Sequence, residues 1–179
     1  IGCAVGAAFA VLVAEELFAS GCRLLLSMTS AGQILPVQAP PYFIIIDRAL
    51  RDEGTSYHYL PPTDYSVADA HLVELARASL TTAGMAVQVG ATWTTDAPFR
   101  ETTEAIAAAR EAGILAVEME AAALYAFARA RGRHVLCIAH VTNQMAQIQG
   151  DFEKGAAAGA ETSLRILLLI ARSWRLHAT

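Results

Sequence analysis

Charge is scarce in this chain. Of 179 residues, 13 are Lys or Arg and 17 are Asp or Glu, which is 17%, against roughly 25% in an average globular protein. The net charge is −4 with a pI near 5.7, and no Lys/Arg cluster occurs. That removes the basic footprint needed to bind nucleic acid, so none is expected as a partner. Any anionic substrate has to be held by a few local groups. Long apolar runs are missing too. Ile166 to Ala171 is bounded by Arg165 and Arg172, far short of the roughly 20 residues of a membrane span. Ile1 to Ala14 is apolar, but no basic segment precedes it and Glu15 and Glu16 end it, so it is not read as a signal peptide. Cysteine is rare: Cys3, Cys22 and Cys137 are an odd, widely spaced set without CxxC. Buried reduced thiols and a cytoplasmic location are expected, with no membrane partner. GxxxxGK[ST], HExxH, a Cys/His cluster and GxSxG are all absent, so a P-loop, metal hydrolysis and a serine triad have no support.

Apolar side chains, by contrast, make up 55% of the chain, and 37 residues are alanine. Such a composition excludes intrinsic disorder. It must bury faces on both sides of a sheet, or surface against other subunits. The length fits one domain, residues 1–179. Because the chain begins at Ile1 and opens almost directly into a helical pattern, the natural start is expected to be missing.

Helix-like and strand-like segments alternate along the chain. Helices are predicted at Val5–Ser20 (stopped by Gly21), from an Asp64 or Ser66 cap to about Thr82, at Thr102–Glu111, Glu118–Arg131 (stopped by Gly132) and Asp151–Ser173. Strands are predicted at Arg23–Met28, Tyr42–Ile46, Met85–Thr92, Ile114–Val117 and Arg133–Val141, with Thr29–Gly32 a turn and Trp93–Glu101 a loop. This alternation implies an α/β domain with a largely parallel sheet. Sites in such folds sit at the carboxyl ends of strands. Here Thr29–Gly32, Trp93–Glu101, Glu118–Glu120 and His140–Asn143 would converge on one edge.

Several of these residues suit particular chemistry. Glu118-Met119-Glu120 lies at a strand-to-helix junction, where a carboxylate is favoured by the helix dipole even without a ligand. A carboxylate can also accept two hydrogen bonds from a sugar cis-diol, and methionine offers a soft wall for the sugar face. Thr29-Ser30-Ala31-Gly32 is a plain turn or an anion site of hydroxyls and backbone N–H groups. Trp93 is a core residue or a stacking surface for a planar ring. Arg100 forms a solvated pair with Glu101 or donates to a base. His140, ending the apolar run VLCIAH, is a core histidine or a proton donor of suitable pKa.

Together these segments resemble the nucleoside phosphorylases of the trimeric and hexameric type, which include uridine phosphorylase. AVEMEAAALYAFARARGRHVLCIAHVTN carries the resemblance most specifically. MTSAGQI stands at the phosphate-loop motif, and RALRDEGTSYHYLPP and VQVGATWTTD match further segments in the right order. The resemblance runs from about Val5 to about Leu168. It implies a three-layer α/β/α phosphorylase/hydrolase-like fold with a mixed, largely parallel sheet. It also implies cleavage of a nucleoside's N-glycosidic bond by phosphate, without a cofactor, in a homo-oligomer, dimer-based and up to a hexamer. Glu120 would bind the ribose hydroxyls, with Met119 against the sugar and Glu118 nearby. Thr29, Ser30 and the backbone around Gly32 would meet phosphate. Trp93 and Thr92 would lie by the base, with Arg100 as donor and His140 as catalytic group.

The chain departs from the family pattern at three places. The early Gly-Asp phosphate loop with its arginine has no counterpart from Ile1 onward and is expected to precede it. Ser27 replaces a second phosphate-binding arginine, and His140 replaces the aspartate of purine-specific members. A uridine-type nucleoside is therefore favoured. The missing cation is expected from the absent segment, or from a partner's Arg48 or Arg51. A nucleosidase using water and a non-catalytic nucleoside-binding protein are the rival readings.

Overall fold

The structure is a computed structural model that describes residues 2, 4–144 and 155–177. Its elements are α1 (Ala7–Ala19), β1 (Leu24–Gln33), β2 (Tyr42–Asp52), β3 (Tyr65–Val67), α2 (Ala70–Thr82), β4 (Gln88–Thr95), α3 (Thr103–Glu111), β5 (Ala116–Glu118), α4 (Ala121–Arg131), β6 (His134–Asn143) and α5 (Ala160–His177).

Strand β2 shows why the architecture has three layers. Its run YFIII is apolar at every position, as a strand covered on both faces must be. Ile44 and Ile46 point into a cluster with Phe18 of α1 and Leu124 and Phe127 of α4. Phe43 and Ile45 point the other way, toward Leu72 and Leu80 of α2 and Ile166 and Ile170 of α5. Helix α3 closes a third cluster around Ile34, Trp93, Ala109 and Ile114. Ala121, Ala122, Ala123 and Ala126 of α4 are fully buried, so small side chains let this helix lie close to the sheet. From it the Tyr125 hydroxyl donates to the Ile46 carbonyl at 2.6 Å and accepts from the Cys137 amide at 3.0 Å. One side chain thereby ties β2 to β6. Burial pushes the Tyr125 hydroxyl well above the ordinary tyrosine range.

The sheet order is β3-β2-β4-β5-β1-β6, and β6 also pairs with β2. Five strands therefore close into a ring, with β3 outside it on β2. Pairings β1–β6, β2–β4 and β4–β5 are parallel, whereas β1–β5, β2–β3 and β2–β6 are antiparallel. Strands β1 and β6 thus run against β2, β4 and β5. This corrects the expectation of a single shared carboxyl edge. Alternation of strands and helices reveals the order of elements, but strand direction is set by how each crossover lands.

Several boundaries also move. Thr29–Gly32 is strand, not a turn, because β1 continues in register with β6 from Thr29↔Ala139 onward and then meets Val117 through Gly32. Trp93, Thr94 and Thr95 extend β4 beside Leu50, Arg51 and Asp52. Neither Asp64 nor Ser66 caps α2. Residues around Ser66 form β3, and the Asp69 side chain caps the helix by accepting from the His71 amide at 2.8 Å. Gly21 and Gly132 stop α1 and α4 as expected, with φ of 93° and 61°. Helix α5 begins at Ala160, and the expected start at Asp151 falls outside the described residues. Among the described residues no helix is long and apolar enough to cross a membrane. Cys137 is buried and Cys22 half-buried, both as free thiols, and Cys3 lies outside the described residues.

Candidate active site

The junction between β5 and α4 is built on Glu118, only 3% exposed. One of its oxygens accepts the hydroxyls of Thr92, at 3.0 Å, and Thr94. The other accepts the amides of Glu120 and Ala121, both at 2.7 Å. Those amides are orphan donors at the start of α4, so Glu118 caps the helix from within the sheet. Burial pushes its pKa up to about 7; the Thr94 hydroxyl and the two amides oppose this, and the neighbouring Glu120 charge adds to it. Glu118 therefore holds the turn that presents Glu120.

Glu120 follows two residues later and is 7% exposed. Its Oε1 accepts the Gly6 amide at 2.7 Å, and its Oε2 accepts the Thr29 hydroxyl at 2.6 Å and the Met119 amide at 3.3 Å. Both oxygens thus face donors, the arrangement a diol's two hydroxyls would replace. Thr29, Met119 and Glu120 come together at this point, joined by Gly6 at the entry to α1.

Strand geometry separates the other expected residues. Successive side chains alternate faces, so Thr29 meets Glu120 while Ser30 turns away. The Ser30 hydroxyl lies 3.1 Å from that of Thr142 on β6. His140 is in register with Ser30 and is stacked on Phe43, with ring centroids 4.5 Å apart and planes at 11°. Phe43 belongs to the α2/α5 side of the sheet, so His140 and Glu120 occupy opposite faces. Gly32 lies between Val117 and Asn143, its peptide groups within the sheet and not in an open anion loop.

Trp93 is likewise displaced from its expected role. Thr92 and Thr94 face Glu118, so Trp93 points the other way into the α3 cluster, 6% exposed, with its indole N–H donated to Asp52 at 2.9 Å. It is a core residue. Arg100 ends a 3-10 turn, Pro98–Arg100, on the exposed loop after β4 beside the fully exposed Phe99. Arg51 is not free to serve a neighbouring subunit. It is 5% exposed, and its guanidinium donates to Ser56 Oγ, Leu60 O, Pro61 O and Thr63 Oγ1. Arg48 stays exposed, 3.7 Å from Asp47.

The Phosphorylase superfamily model matches residues 1–172. The chain belongs to this superfamily. Comparison with curated proteins yields no match. Membership agrees with the three-layer fold and supports nucleoside phosphorylase or nucleosidase chemistry in general.

Three members of the polar cluster were not singled out in the sequence. Thr94 is signalled only by its period-2 relation to Thr92, which puts both hydroxyls on one face. Gly6 and Thr142 carry no sequence signal, because their partners are remote in the chain.

Proposed function

We propose that the protein is a nucleoside phosphorylase acting on a ribonucleoside, with a uridine-type base favoured. The observation that carries this is the Glu120 carboxylate, with Thr29 and Met119 beside it, in a chain of the phosphorylase superfamily. In the reaction, a phosphate oxygen bonds to C1′ of the ribose as the C1′–N bond breaks. The bonding electrons leave with the base, which takes up a proton. Glu120 accepts the 2′- and 3′-hydroxyls by exchanging them for the Gly6 amide and the Thr29 hydroxyl. Binding the diol on both oxygens fixes the ring while positive charge grows at C1′, so catalysis is placement and electrostatic stabilisation. Phosphate is a co-substrate, and the chemistry draws on no cofactor. Ser30, expected to meet phosphate, turns to Thr142 on the other face of β1 and brings no positive charge to the Glu120 side. The cation comes from outside the described contacts, and Arg48 is the exposed candidate for donation to a neighbouring subunit. A homo-oligomer fits the exposed apolar residues Phe9 and Leu12 of α1 and Val5 just before it.

The test is product analysis on a nucleoside panel with and without phosphate. Sugar 1-phosphate formed only with phosphate is the expected result. Free ribose released at a rate indifferent to phosphate would move the assignment to a nucleosidase. No turnover, with nucleoside bound, would leave a binding protein.

A further inference from the structure

The opposite end of the strand ring, where β1 and β6 begin, holds a feature that the sugar and phosphate assignments do not use. A cavity of about 520 Å³ opens there, lined among others by Arg23, His71, Arg133, His134, Trp174 and His177. A second cavity of about 480 Å³ adjoins it across Gly132, Arg133 and His134. Leu24 and His134 are in register on parallel strands, so Arg23 and Arg133 enter the sheet side by side. The Ser30–His140 pair lies six residues further along the same ladder, roughly 20 Å away at the usual strand rise.

The charge here runs against that of the chain. Among the described residues no carboxylate lines the larger cavity, in a protein of net charge −4. Neither Arg23 nor Arg133 forms an ion pair among the described residues. Each lies over an aromatic ring instead, Arg23 at 5.8 Å from the Trp174 centroid and Arg133 at 5.4 Å from that of Phe18. Asp69 stands at the edge, its carboxylate 4.0 Å from His134 Nδ1 and already capping α2. Glu15, whose field Arg133 feels, is bound to Arg131 and Tyr59. Helices α1, α4 and α5 all end nearby, and basic residues are favoured beside helix C-termini. Arg133 directly follows the Gly132 C-cap of α4 and suits that helix end, whereas Arg23 lies past the Ser20 C-cap of α1 at the entry to β1, outside any helical turn.

We propose that this cleft binds a phosphate monoester that carries a planar ring, of which a nucleoside monophosphate is the simplest case. Each guanidinium offers phosphate oxygens a fork of donors from the cleft wall. Trp174 and His134, whose ring centroids lie 6.1 Å apart, supply flat surface for the ring. The volume is within the usual range of small-molecule sites, about 300–1,000 Å³. The proposal is independent of which reaction occurs at Glu120.

The test is calorimetric titration of the full chain with uridine 5′-monophosphate, uridine and inorganic phosphate. Quenching of tryptophan fluorescence in a Trp93→Phe background, which leaves Trp174 as the reporter, provides a second readout. In the Glu120→Gln background, where the sugar clamp no longer competes, the monophosphate should bind more tightly than either of its parts. The Arg23→Ala/Arg133→Ala double variant should weaken it at least about tenfold while nucleoside turnover stays at the wild-type level. Glu120→Gln should leave this binding intact, and so should Arg165→Ala, an exposed arginine outside the cleft. Four results would overturn the proposal: no saturable binding at millimolar concentration, equal affinity in the double variant, an equal loss in Arg165→Ala, or loss of binding in Glu120→Gln. The last would place the ligand at the sugar site.

Discussion

Replacing Glu118 by Gln tests the electrostatics at the heart of the β5–α4 junction. The side chain is buried, and burial lifts its pKa from the ordinary carboxylate value of 4.5 to about 7. The folded protein therefore holds a proton there that the unfolded chain releases. A group shifted upward stabilises the fold fully below its unfolded pKa, and that contribution is lost as pH rises through the folded value. The window is thus pH 4.5 to about 7, and 2.5 units at 1.36 kcal/mol each correspond to roughly 3 kcal/mol. Glutamine has the shape of the protonated acid. Its carbonyl can accept the Glu120 and Ala121 amides, and its NH2 can donate to the Thr92 and Thr94 hydroxyls once these rotate. Thr94 Oγ1 already accepts the Ala122 amide at 2.9 Å and has a lone pair to spare. Urea unfolding of both proteins at pH 5 and pH 8 measures the effect. Because pH 5 lies just inside the window, the wild type should lose roughly 2–3 kcal/mol relative to Glu118→Gln between the two. Parallel stability profiles would refute the reasoning. They would mean that the four donors hold Glu118 ionised and outweigh its burial.

Other consequences concern single side chains. Glu120→Gln turns one acceptor of the proposed diol clamp into a donor, and catalytic efficiency should fall roughly 10- to 150-fold, the equivalent of about 1.5–3 kcal/mol. Glu101→Gln, on the loop before α3, should change it little, and equal effects at both positions would remove the clamp assignment. Tyr125→Phe strips the Ile46 carbonyl and the Cys137 amide of their buried partner and should cost about 1–3 kcal/mol in denaturant unfolding. Arg51→Lys should destabilise the fold by about 2–3 kcal/mol, because one ammonium cannot reach the four groups that the guanidinium fork holds. A thermal melt unchanged by that substitution would contradict the assignment of Arg51 to loop support.

The sequence by itself determined the layers and the local junction. The uniformly apolar YFIII requires cover on both faces, and the structure supplies α1 and α4 on one side and α2 and α5 on the other. Glycines after helical runs marked the ends of α1 and α4. The EME segment marked the strand-to-helix turn, because acidic side chains suit a helix N-terminus, and Glu118 does cap α4 there. Such features are local, so they can be read within a few residues.

Tertiary structure decided which face each residue occupies and which direction each strand runs. The extension of β4 by three residues puts Thr94 beside Thr92 on Glu118 and sends Trp93 into the core. The extension of β1 puts Thr29 on Glu120 and turns Ser30 toward Thr142. Because side chains alternate along a strand, a boundary misplaced by a few residues turns a presumed cluster into two faces. Gly6 reaches Glu120 across 114 positions of chain, and the entries of β1 and β6 set Arg23 beside Arg133. No local pattern records such contacts. They exist only once the ring of strands has closed.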